Sequence, residues 1–410
     1  MIFVILGLNY APERIGIAVY TRGMAEALVA KGHEVHVVAG YPYYPGWRVI
    51  DPFDEPWSRQ SVENGVSVTR VPHYVPANPS GLRRMLHHAS FGLSALIPML
   101  TLARAKRPDV VIAVAPSLVA APVARLAAWS CGAHAWLHVQ DFEVEAAFAT
   151  GLMGARSLLG RLALGFERSV LRLFDSVSAI SPRMCFRLLQ KGVDKTRIVQ
   201  FRNWADLERL PPAAVPSGYR LRWGISTPHV ALYAGNIGRK QGIEIVVEAA
   251  RMLQHRRDLT FVICGEGPNR AELERQAHGL ERFQFHDLQP VEQLGDLMAL
   301  ATVHLLPQLA GVADLVLPSK LTNMLASGRP VVAAAATGTG LWAEMVDCGI
   351  TVPPGDPAAF AAAIDLVASD ADLAAQFGVN ARHRAEQRWS KAGVLGGFIN
   401  RLIVIAEQRR

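Results

Sequence analysis

The sequence predicts an α/β protein made of two doubly wound, Rossmann-like domains, each with a parallel sheet, that face each other across a cleft. Apolar strand-like runs alternate with helical patterns along the chain, which is typical of βαβ architecture. With 410 residues and 50% hydrophobic content, the chain can bury more than one core. A proline-rich stretch at residues 211–216 interrupts the alternation. We therefore predict domains over residues 1–205 and 206–390, and a final helix over 391–410 that packs back on the first domain.

The first domain is predicted to contain seven strands with helices between them. One helix begins near Ile17 and ends at Gly32, and another ends near Gly132, because glycine favours the left-handed conformation that closes a helix. An aromatic segment with two prolines at residues 41–47 is predicted to be a loop. The predicted strands cover residues 2–6, 34–39, 66–71, 110–114, 135–139, 176–180 and 198–201.

The second domain repeats the pattern with six strands. In open parallel sheets, ligands bind outside the carboxyl ends of the strands, so we expect functional residues in the loops that follow strands. The predicted strands cover residues 229–234, 260–264, 283–286, 303–306, 330–335 and 350–352, and helices are predicted at 243–256, 270–278 and 291–300.

Positive charge is concentrated in the first half of the chain. The net charge is +7, and residues 1–205 contain 22 Lys and Arg against 14 Asp and Glu, so this half carries all of the excess. The sequence lacks the interleaved aromatic and basic residues of a nucleic-acid platform, and no nucleic-acid partner is expected. A basic domain of this kind can instead meet an anionic membrane surface or a phosphorylated acceptor.

An apolar run at residues 89–103 lies between basic residues, with Arg83 and Arg84 before it and Arg104 after it. It is shorter than the ~20 residues that a helix needs to span a bilayer. Two interpretations stay open. The segment is either a basic amphipathic element in the membrane interface or a buried crossover helix with solvated ends.

Cysteine usage and the start of the chain indicate a reducing compartment. The four cysteines have neither CxxC nor metal-ligand spacing, so free thiols are expected and a metal site is not. Residues 1–10 lack the basic start and the long apolar core of a signal peptide. They predict a first β-strand and a cytoplasmic protein.

The most informative segment is residues 317–333. Pro318 and Ser319 open an apolar-periodic helix, a glycine closes it, and an apolar strand follows at once. The free N–H groups and the positive dipole end of this helix can bind an anion, with Lys320 in the first turn. Asn323, one turn further on, is placed to hydrogen-bond hydroxyl groups. The segment suits a nucleotide diphosphate with a sugar attached; an ordinary βα turn is the alternative interpretation.

Two glycine-containing loops are further candidates for ligand contact. Gly16 stands at the start of the first helix, where a missing side chain lets the backbone approach a ligand. The first loop has neither a G-x-G-x-x-G fingerprint nor a Walker A motif. After the first strand of the second domain, Gly235 and Gly238 clear space while Arg239 and Lys240 can neutralise a diphosphate. Plain βα loops and a solvated basic pair are the alternatives.

Polar residues emerge abruptly from the apolar strand at residues 135–139. Asp141 is a candidate for orienting an acceptor hydroxyl or for stabilising positive charge at a sugar carbon. A helix N-cap is the alternative role for this carboxylate. A metal pair of Asp141 and Glu143 is discounted, because a lone D-x-E is common and no further ligand clusters with it.

Taken in order, these loops resemble the retaining glycosyltransferases of the GT-B fold, in family 4, over nearly the whole chain. Each motif is modest alone, but their order is specific. The remaining motifs that carry the resemblance are Gly32-His33-Glu34-Val35, Ile180-Ser181-Pro182-Arg183-Met184, Asn203-Trp204-Ala205-Asp206 and Gly265-Glu266-Gly267-Pro268.

A finer pattern resembles those family members that build exopolysaccharides such as colanic acid. It implies a fucosyl group taken from GDP-fucose, and a UDP-linked sugar is the other donor class left open, since the base is not legible from these residues. The pattern consists of Asn9-Tyr10-Ala11-Pro12-Glu13, Pro42-Tyr43-Tyr44-Pro45, Val139-Gln140-Asp141 and Gly235-Asn236-Ile237-Gly238, with Pro318-Ser319-Lys320-Leu321-Thr322-Asn323.

The resemblance implies a donor site and an acceptor site. The implied catalytic residues are Asp141, Lys320 and Arg239. The implied donor-binding residues are Gly16, Gly235, Asn236, Gly238, Arg239, Lys240, Glu266, Gly267, Ser319, Lys320, Leu321, Thr322 and Asn323. The implied acceptor-side residues are Asn9, Tyr10, Glu13, Tyr43 and Asp141.

The chain departs from the family pattern at two places. Leu315 and Asn323 stand where the family commonly has a Glu-x7-Glu pair. The family's usual Arg and Lys of the diphosphate loop fall at Asn236 and Gln241, so Arg239, Lys240 or Lys320 must substitute for them.

The implied reaction proceeds with retention and needs no metal, no other cofactor and no protein nucleophile. The implied acceptor is a lipid-linked saccharide, which places the enzyme at the inner face of the plasma membrane as a peripheral protein. Two other functions stay open. One is a GT-B nucleotide-sugar epimerase, and the other is a catalytically inactive sugar-binding or scaffold protein of a polysaccharide assembly complex.

Overall fold

The computed structural model describes residues 1–13, 16–44, 46–53, 57–145, 157–208, 210, 217–238, 241–309 and 318–408. The chain forms two compact units. Unit 1 contains Met1–Arg202 and Leu395–Arg410, and unit 2 contains Asn203–Val394. The final segment of the chain is thus part of unit 1. The predicted linker prolines at 211, 212 and 216 lie outside the described residues.

Unit 1 is built on an eight-stranded sheet with the order β3-β4-β2-β1-β5-β6-β7-β8. All neighbouring pairs are parallel except β3 and β4. The middle strands are buried on both faces, which explains why they read as unbroken apolar runs. The strands are β1 (Ile2–Gly7), β2 (Glu34–Gly40), β3 (Arg59–Glu63), β4 (Val66–Val71), β5 (Val110–Ala115), β6 (His134–Val139), β7 (Ser176–Ala179) and β8 (Ile198–Gln200).

Strand β3 is an element that the sequence analysis missed. It pairs antiparallel with β4, Glu63 opposite Val66, through a two-residue turn at Asn64 and Gly65. Both turn residues have positive φ, 50° and 81°, as a type I′ hairpin turn requires. The Asn-Gly pair was the available signal. The largely polar residues of β3 gave no apolar alternation because this strand lies at the exposed edge of the sheet.

Helices cover both faces of this sheet. Right-handed crossovers place α1, which joins β1 to β2, on one face of the sheet. They place α2 to α5, which join strands in the opposite direction across the sheet, on the other face. The helices are α1 (Ile17–Ala30), α2 (Gly81–Lys106), α3 (Ala121–Cys131), α4 (Leu158–Leu173) and α5 (Pro182–Gln190).

Helix α2 contains the apolar run for which two interpretations stayed open. Among the described residues, it is the one helix that is long and apolar enough to cross a membrane, judged by length and composition alone. One side of it packs on unit 1, because a Cβ added to Gly92 would lie 3.3 Å from the Cα of Ala120. Leu93 and Ile97, on another side, are exposed. Helix α2 is therefore a packed crossover helix that also carries apolar side chains on the surface.

Unit 2 is built on a six-stranded parallel sheet with the order β11-β10-β9-β12-β13-β14. One apolar core lies on each face of this sheet. The strands are β9 (His229–Ala234), β10 (Leu259–Cys264), β11 (Phe283–His286), β12 (Val303–Leu306), β13 (Val331–Ala334) and β14 (Gly349–Val352). The helices are α6 (Tyr219–Arg222), α7 (Glu244–Met252), α8 (Arg270–Gln276), α9 (Leu294–Leu300), α10 (Ser319–Ala326), α11 (Gly340–Met345), α12 (Pro357–Ser369) and α13 (Ala371–Trp389).

The last helix, α14 (Lys391–Glu407), returns to the sheet of unit 1. Its Phe398 ring stacks on Phe201 with a centroid distance of 3.8 Å and meets Trp136 edge-on at 5.2 Å. Trp136 and Phe201 are buried, and Trp136 belongs to β6. The two chain segments that form unit 1 therefore share one aromatic cluster.

Strand order reverses once in each sheet, and the reversal locates the sites. In unit 1, successive strands depart to opposite sides of the adjacent strands β1 and β5; in unit 2 they do so at β9 and β12. Crevices form outside the carboxyl ends of strands at such switch points. The loops after β1 and β5 and those after β9 and β12 are therefore placed to bind ligands. The prediction of two doubly wound parallel-sheet domains is confirmed.

Candidate functional site

The switch point of unit 2 holds a half-buried lysine paired with a buried phenol. Lys320, in the first turn of α10, donates a hydrogen bond from Nζ to the Tyr233 hydroxyl at 2.7 Å, and its Nζ lies 4.2 Å from the centroid of that ring. Tyr233 in turn donates to the backbone oxygen of Asn236 at 2.6 Å. These two hydrogen bonds therefore link the first turn of α10 to the loop after β9.

The Lys320 ammonium has no carboxylate partner among the described residues. Burial without a compensating negative charge lowers its pKa to about 7. An incoming anion stabilises the charged form of such a lysine strongly, because the anion supplies the missing negative charge inside a poorly solvated site. The surroundings of Lys320 therefore suit an anionic ligand, and its contact with a diphosphate stays a prediction.

The loops after β9 and β10 are joined backbone to backbone. The Gly235 N–H donates to the Cys264 oxygen at 2.9 Å, and the Ile237 N–H donates to the Glu266 oxygen at 2.7 Å. A Cβ on Gly265 would lie 1.9 Å from the Gly235 oxygen, so only glycine fits there. Gly267 is equally restricted, since its Cβ would lie 2.3 Å from the Ile237 oxygen.

The glycines after β9 make room for protein neighbours, which differs from the predicted clearing of space for a ligand. A Cβ on Gly235, whose φ is +143°, would lie 3.3 Å from Lys320 Nζ. A Cβ on Gly238 would lie 3.0 Å from the Gln241 side-chain oxygen. Gly235 thus lets the Lys320 side chain lie against the loop. Arg239 and Lys240, and also Leu315, lie outside the described residues.

The remaining predicted donor residues differ in how exposed they are. Ser319 is exposed and Asn323 is half-buried, so both side chains are accessible at α10. The Leu321 and Thr322 side chains face the core, and the Leu321 N–H donates to the Pro318 oxygen. Ligand contact by these two residues stays a prediction. The Glu266 side chain is exposed.

In unit 1, Glu13 joins the loops after β1 and β2. Its buried carboxylate accepts hydrogen bonds from the backbone N–H groups of Tyr43 and Tyr44 and from the Asn9 amide, each at 2.9 Å. Burial raises the pKa of Glu13, against the opposing effect of these three donors. The geometry makes Glu13 a positioning residue for the Tyr43–Tyr44 loop, since its oxygens are used inside the protein.

Tyr10 and Tyr43 are both buried, and their predicted place on the acceptor side stays a prediction. The Arg70 guanidinium lies over the Tyr10 ring at 5.9 Å. Tyr43 packs edge-on against His87 at 4.6 Å and His73 at 5.4 Å. Burial raises the pKa of both phenols. These two tyrosines support the acceptor-side loops from beneath.

Glu143 has an anchoring role that the sequence analysis passed over when it discounted this residue as a metal ligand. Its carboxylate accepts from the backbone N–H of Ser117 at 2.5 Å and of Leu118 at 3.0 Å, which ties the loop after β6 to the loop after β5. Burial, and then the nearby negative charge of Asp141, raises the pKa of Glu143 to about 7. The half-buried Asp141 is held two residues before this anchor. The D-x-E spacing was the only sequence signal for it.

Gly16 and the cysteines complete the list of predicted features. Gly16 caps α1 with φ +64°, and no heavy atom in the described structure lies within 4 Å of the position a Cβ would take. All four cysteines are free, with Cys264 and Cys348 buried. Throughout the described ranges, no three His, Cys, Asp or Glu side chains are grouped to hold a metal. Metal-independent transfer stays a prediction.

Comparison with known proteins resolves the family. The family described as "Glycosyl transferase 4-like domain" matches residues 16–204, and "Glycosyl transferases group 1" matches residues 228–370. The chain is 40% identical to the putative colanic acid biosynthesis glycosyl transferase WcaI of Escherichia coli K12, over 98% of this chain and 99% of WcaI. The chain belongs to the WcaI-like GT-B glycosyltransferases of family 4. Its activity is glycosyl transfer, as predicted.

Solved structures of other GT-B glycosyltransferases share the fold. Sucrose-phosphate synthase of Thermosynechococcus elongatus superposes with a TM-score of 0.77 at 18% identity, over 98% of this chain and 99% of that one. HepE of Anabaena, solved with UDP and glucose, has a TM-score of 0.71 at 16% identity, again over 98% and 99%. The predicted GT-B fold is confirmed, and the transferase prediction stands over the epimerase and scaffold alternatives.

Proposed function

We propose that this glycosyltransferase moves a hexosyl group, with fucosyl from GDP-fucose favoured, from a nucleotide sugar to a lipid-linked saccharide during exopolysaccharide assembly. The name of WcaI supports a role in exopolysaccharide assembly. HepE was solved with UDP, so a UDP-sugar is the second donor class to test. The observation that carries the proposal is the Lys320–Tyr233 pair. Among the residues that the structure describes, this cation has no carboxylate partner at the switch point of unit 2.

The donor diphosphate binds at the first turn of α10. Lys320 supplies the charge, and the amino end of the helix adds its dipole and its free N–H groups. Asn323 hydrogen-bonds donor hydroxyl groups from the next turn. An amide accepts hydrogen bonds more weakly than a carboxylate, so Asn323 contributes less than a glutamate would. Arg239 and Lys240 provide further positive charge.

Transfer proceeds with retention and without a covalent enzyme intermediate. The acceptor hydroxyl oxygen bonds to the anomeric carbon on the face from which the nucleoside diphosphate departs. The bond from that carbon to the phosphate oxygen breaks, and the departing phosphate oxygen takes the acceptor's proton. Lys320 stabilises the charge that develops on this oxygen. Asp141, held by the Glu143 anchor, orients the acceptor hydroxyl.

The acceptor binds unit 1, at the loops after β1, β2 and β6. A lipid-linked acceptor lies at a membrane, and the positive excess of the first half of the chain suits an anionic surface. The enzyme is therefore proposed to act as a peripheral protein at the inner face of the plasma membrane, with no metal ion taking part.

Thermal shift with a panel of GDP-, UDP-, ADP- and dTDP-sugars tests the donor, because a ligand that binds the native state raises the Tm. GDP-fucose is expected to give the largest rise, and Lys320→Ala is expected to remove it while the unliganded Tm stays within a few degrees. A Lys320→Ala variant with normal turnover would end the assigned role. Sugar conversion without any acceptor would replace transfer by epimerisation.

A further inference from the structure

We propose that the outer surface of helices α2 to α5 is the membrane-docking face of unit 1, and that its partner is an anionic lipid bilayer. The inference rests on the proposed function, since a lipid-linked acceptor has to be reached at a membrane. The inference goes beyond the proposed function by assigning the membrane contact to one layer of helices. We call this surface the helix-layer face.

The topology places these four helices side by side. Each joins strands in the same direction across the sheet, and right-handed crossovers put all four on one face. Helix α3 packs against α2 on one side and against α4 on the other. The Arg125 side chain of α3 also donates to the Leu173 carbonyl at the end of α4, at 2.7 Å. Helices α2, α3 and α4 therefore form a continuous layer. Arg172 of α4 donates to the carbonyl of Lys191, just after α5, at 3.3 Å, which joins α5 to it.

Large apolar side chains are exposed along this layer far more often than elsewhere. The four helices supply 14 of the 31 exposed large hydrophobic residues in the described chain, from 62 of its residues. A concentration of exposed apolar side chains of this kind is typical of an interaction site. The residues are Leu82, Met85, Leu86, Leu93 and Ile97 of α2, Leu126 and Trp129 of α3, Leu158, Leu159, Leu162, Phe166 and Leu173 of α4, and Phe186 and Leu189 of α5.

The charges on the layer have one sign. The four helices contain ten Lys and Arg residues and a single carboxylate, Glu167. Glu167 is only 1% exposed and accepts a hydrogen bond from the Lys191 ammonium at 2.5 Å. The outer surface of these helices therefore presents basic and apolar groups without an exposed acidic side chain of its own.

Helix α4 shows the arrangement in detail. Leu158, Leu162 and Phe166 follow one another at spacings of four, so they form one row on the side away from the buried residues. Arg161 and Arg168, seven residues apart, form a second row beside it. An exposed apolar row flanked by arginines is the pattern of a helix that lies in the membrane interface.

Charge complementarity favours a bilayer over a second copy of the chain. Two copies meeting through this face would bring the same arginines together, with no exposed carboxylate on the helices to neutralise them. Anionic headgroups supply that charge, while the apolar side chains enter the acyl boundary.

Vesicle flotation with the full chain tests the proposal. Vesicles contain phosphatidylcholine alone, or two parts phosphatidylcholine to one part phosphatidylglycerol. The wild type is expected to float with the anionic vesicles and not with the neutral ones. At roughly fivefold in affinity for each basic residue near the surface, Arg161→Glu with Arg168→Glu should weaken binding by about thirtyfold or more. Leu158→Gln with Leu162→Gln should also abolish flotation.

The matched control reverses the same charge elsewhere on unit 1. Lys31, at the end of α1, and Arg401, on α14, are exposed and lie outside the helix layer. Lys31→Glu with Arg401→Glu should keep most of the binding. Equal losses in the two charge variants, or no flotation of the wild type, would overturn the proposal. Sedimentation provides a further test. A wild type that binds no lipid but self-associates, and that loses this self-association with Leu158→Gln and Leu162→Gln, would also overturn the proposal in favour of a dimer.

The assay separates this inference from the proposed function. Donor binding is measured on the same variants by thermal shift. Loss of flotation with an unchanged shift by GDP-fucose supports the helix-layer face. Failure of every nucleotide sugar to shift the Tm would contradict the proposed function, whatever the flotation result.

Discussion

The Nζ atom of Lys320 lies 2.7 Å from the phenolic oxygen of Tyr233, although 87 residues separate them in the chain. Strand β9 and helix α10 bring the two together across the switch point of unit 2. The hydrogen bond fixes where the ammonium sits, and the ring beneath it stabilises the cation. Tyr233 is a positioning residue for Lys320.

Tyr233→Phe is expected to weaken nucleotide-sugar binding by about tenfold, because it removes one hydrogen bond to a charged group but keeps the ring. Isothermal titration with GDP-fucose measures the change, and Tyr74→Phe, at an exposed phenol of unit 1, is the matched control. Since the half-buried Lys320 and the Asn236 oxygen each lose a partner, the Tm should also fall by a few degrees. Unchanged affinity would show that the phenol does not position Lys320.

Donor affinity should depend on pH through Lys320. The pKa of Lys320 is lowered to about 7 by burial, and a bound diphosphate raises it again. Below about pH 7 the ammonium is already charged and binding is strongest. Above that, each binding event takes up a proton, so affinity falls by up to about tenfold per pH unit. Titration of an intact nucleotide sugar in buffers of different ionisation enthalpy measures the uptake, and Lys320→Arg should remove the dependence.

The same shift sets a stability window for the unliganded enzyme. The pKa of Lys320 is lower in the folded state, about 7, than the ordinary 10.5, so the unfolded chain binds the extra proton between these values. The free energy of unfolding should therefore gain a contribution from Lys320 as the pH rises through this window. Urea denaturation of wild type and Lys320→Met across the window tests it; parallel curves would contradict the assigned shift.

Glu13→Ala should impair use of the acceptor more than binding of the donor. The substitution leaves the backbone N–H groups of Tyr43 and Tyr44 without their acceptor and frees the loop after β2. Loss of these buried hydrogen bonds should cost about 1–3 kcal/mol in the free energy of unfolding. Steady-state kinetics should show an increased KM for acceptor, while calorimetry shows an unchanged donor Kd. Glu407→Ala, at the exposed end of α14, serves as the control.

Phe398→Ala should destabilise unit 1 by about 3–5 kcal/mol, the usual effect of removing a buried phenyl ring. The ring stacks on Phe201 and meets Trp136, so its loss opens a cavity at the sheet. Urea denaturation followed by tryptophan fluorescence reports the change. Val404→Ala, on the exposed side of the same helix, should lie within about 0.5 kcal/mol of wild type. Similar midpoints for the two variants would show that α14 contributes little.

Sequence patterns predicted the alternation of strands and helices well, because a strand buried on both faces is an unbroken apolar run. They failed at β3, whose edge position leaves it polar, although Asn64-Gly65 marked the turn. They identified Lys320 from its place in the first turn of α10. Its partner Tyr233 could not be predicted, since only the strand order brings the end of β9 beside α10.

The acceptor-side residues show a similar division. The motif with Asn9 and Glu13 assigned this loop to the acceptor side, which stays a prediction. The motif did not reveal that the Glu13 carboxylate accepts hydrogen bonds from the backbone of Tyr43 and Tyr44. Glu143 was passed over because its partners, the N–H groups of Ser117 and Leu118, belong to a loop more than twenty residues earlier. Contacts to backbone amides leave little trace in side-chain patterns.

Unit 1 is interrupted in the chain, and this sets an order of events on the ribosome. Unit 2 is one continuous stretch, and its last residue emerges before Phe398 does. During synthesis, nearly two hundred residues are added between Phe201 and Phe398. Until Phe398 is made, the Trp136 and Phe201 rings lack this packing partner. Unit 2 can close as soon as it is made, whereas the nascent unit 1 is completed only by the final helix.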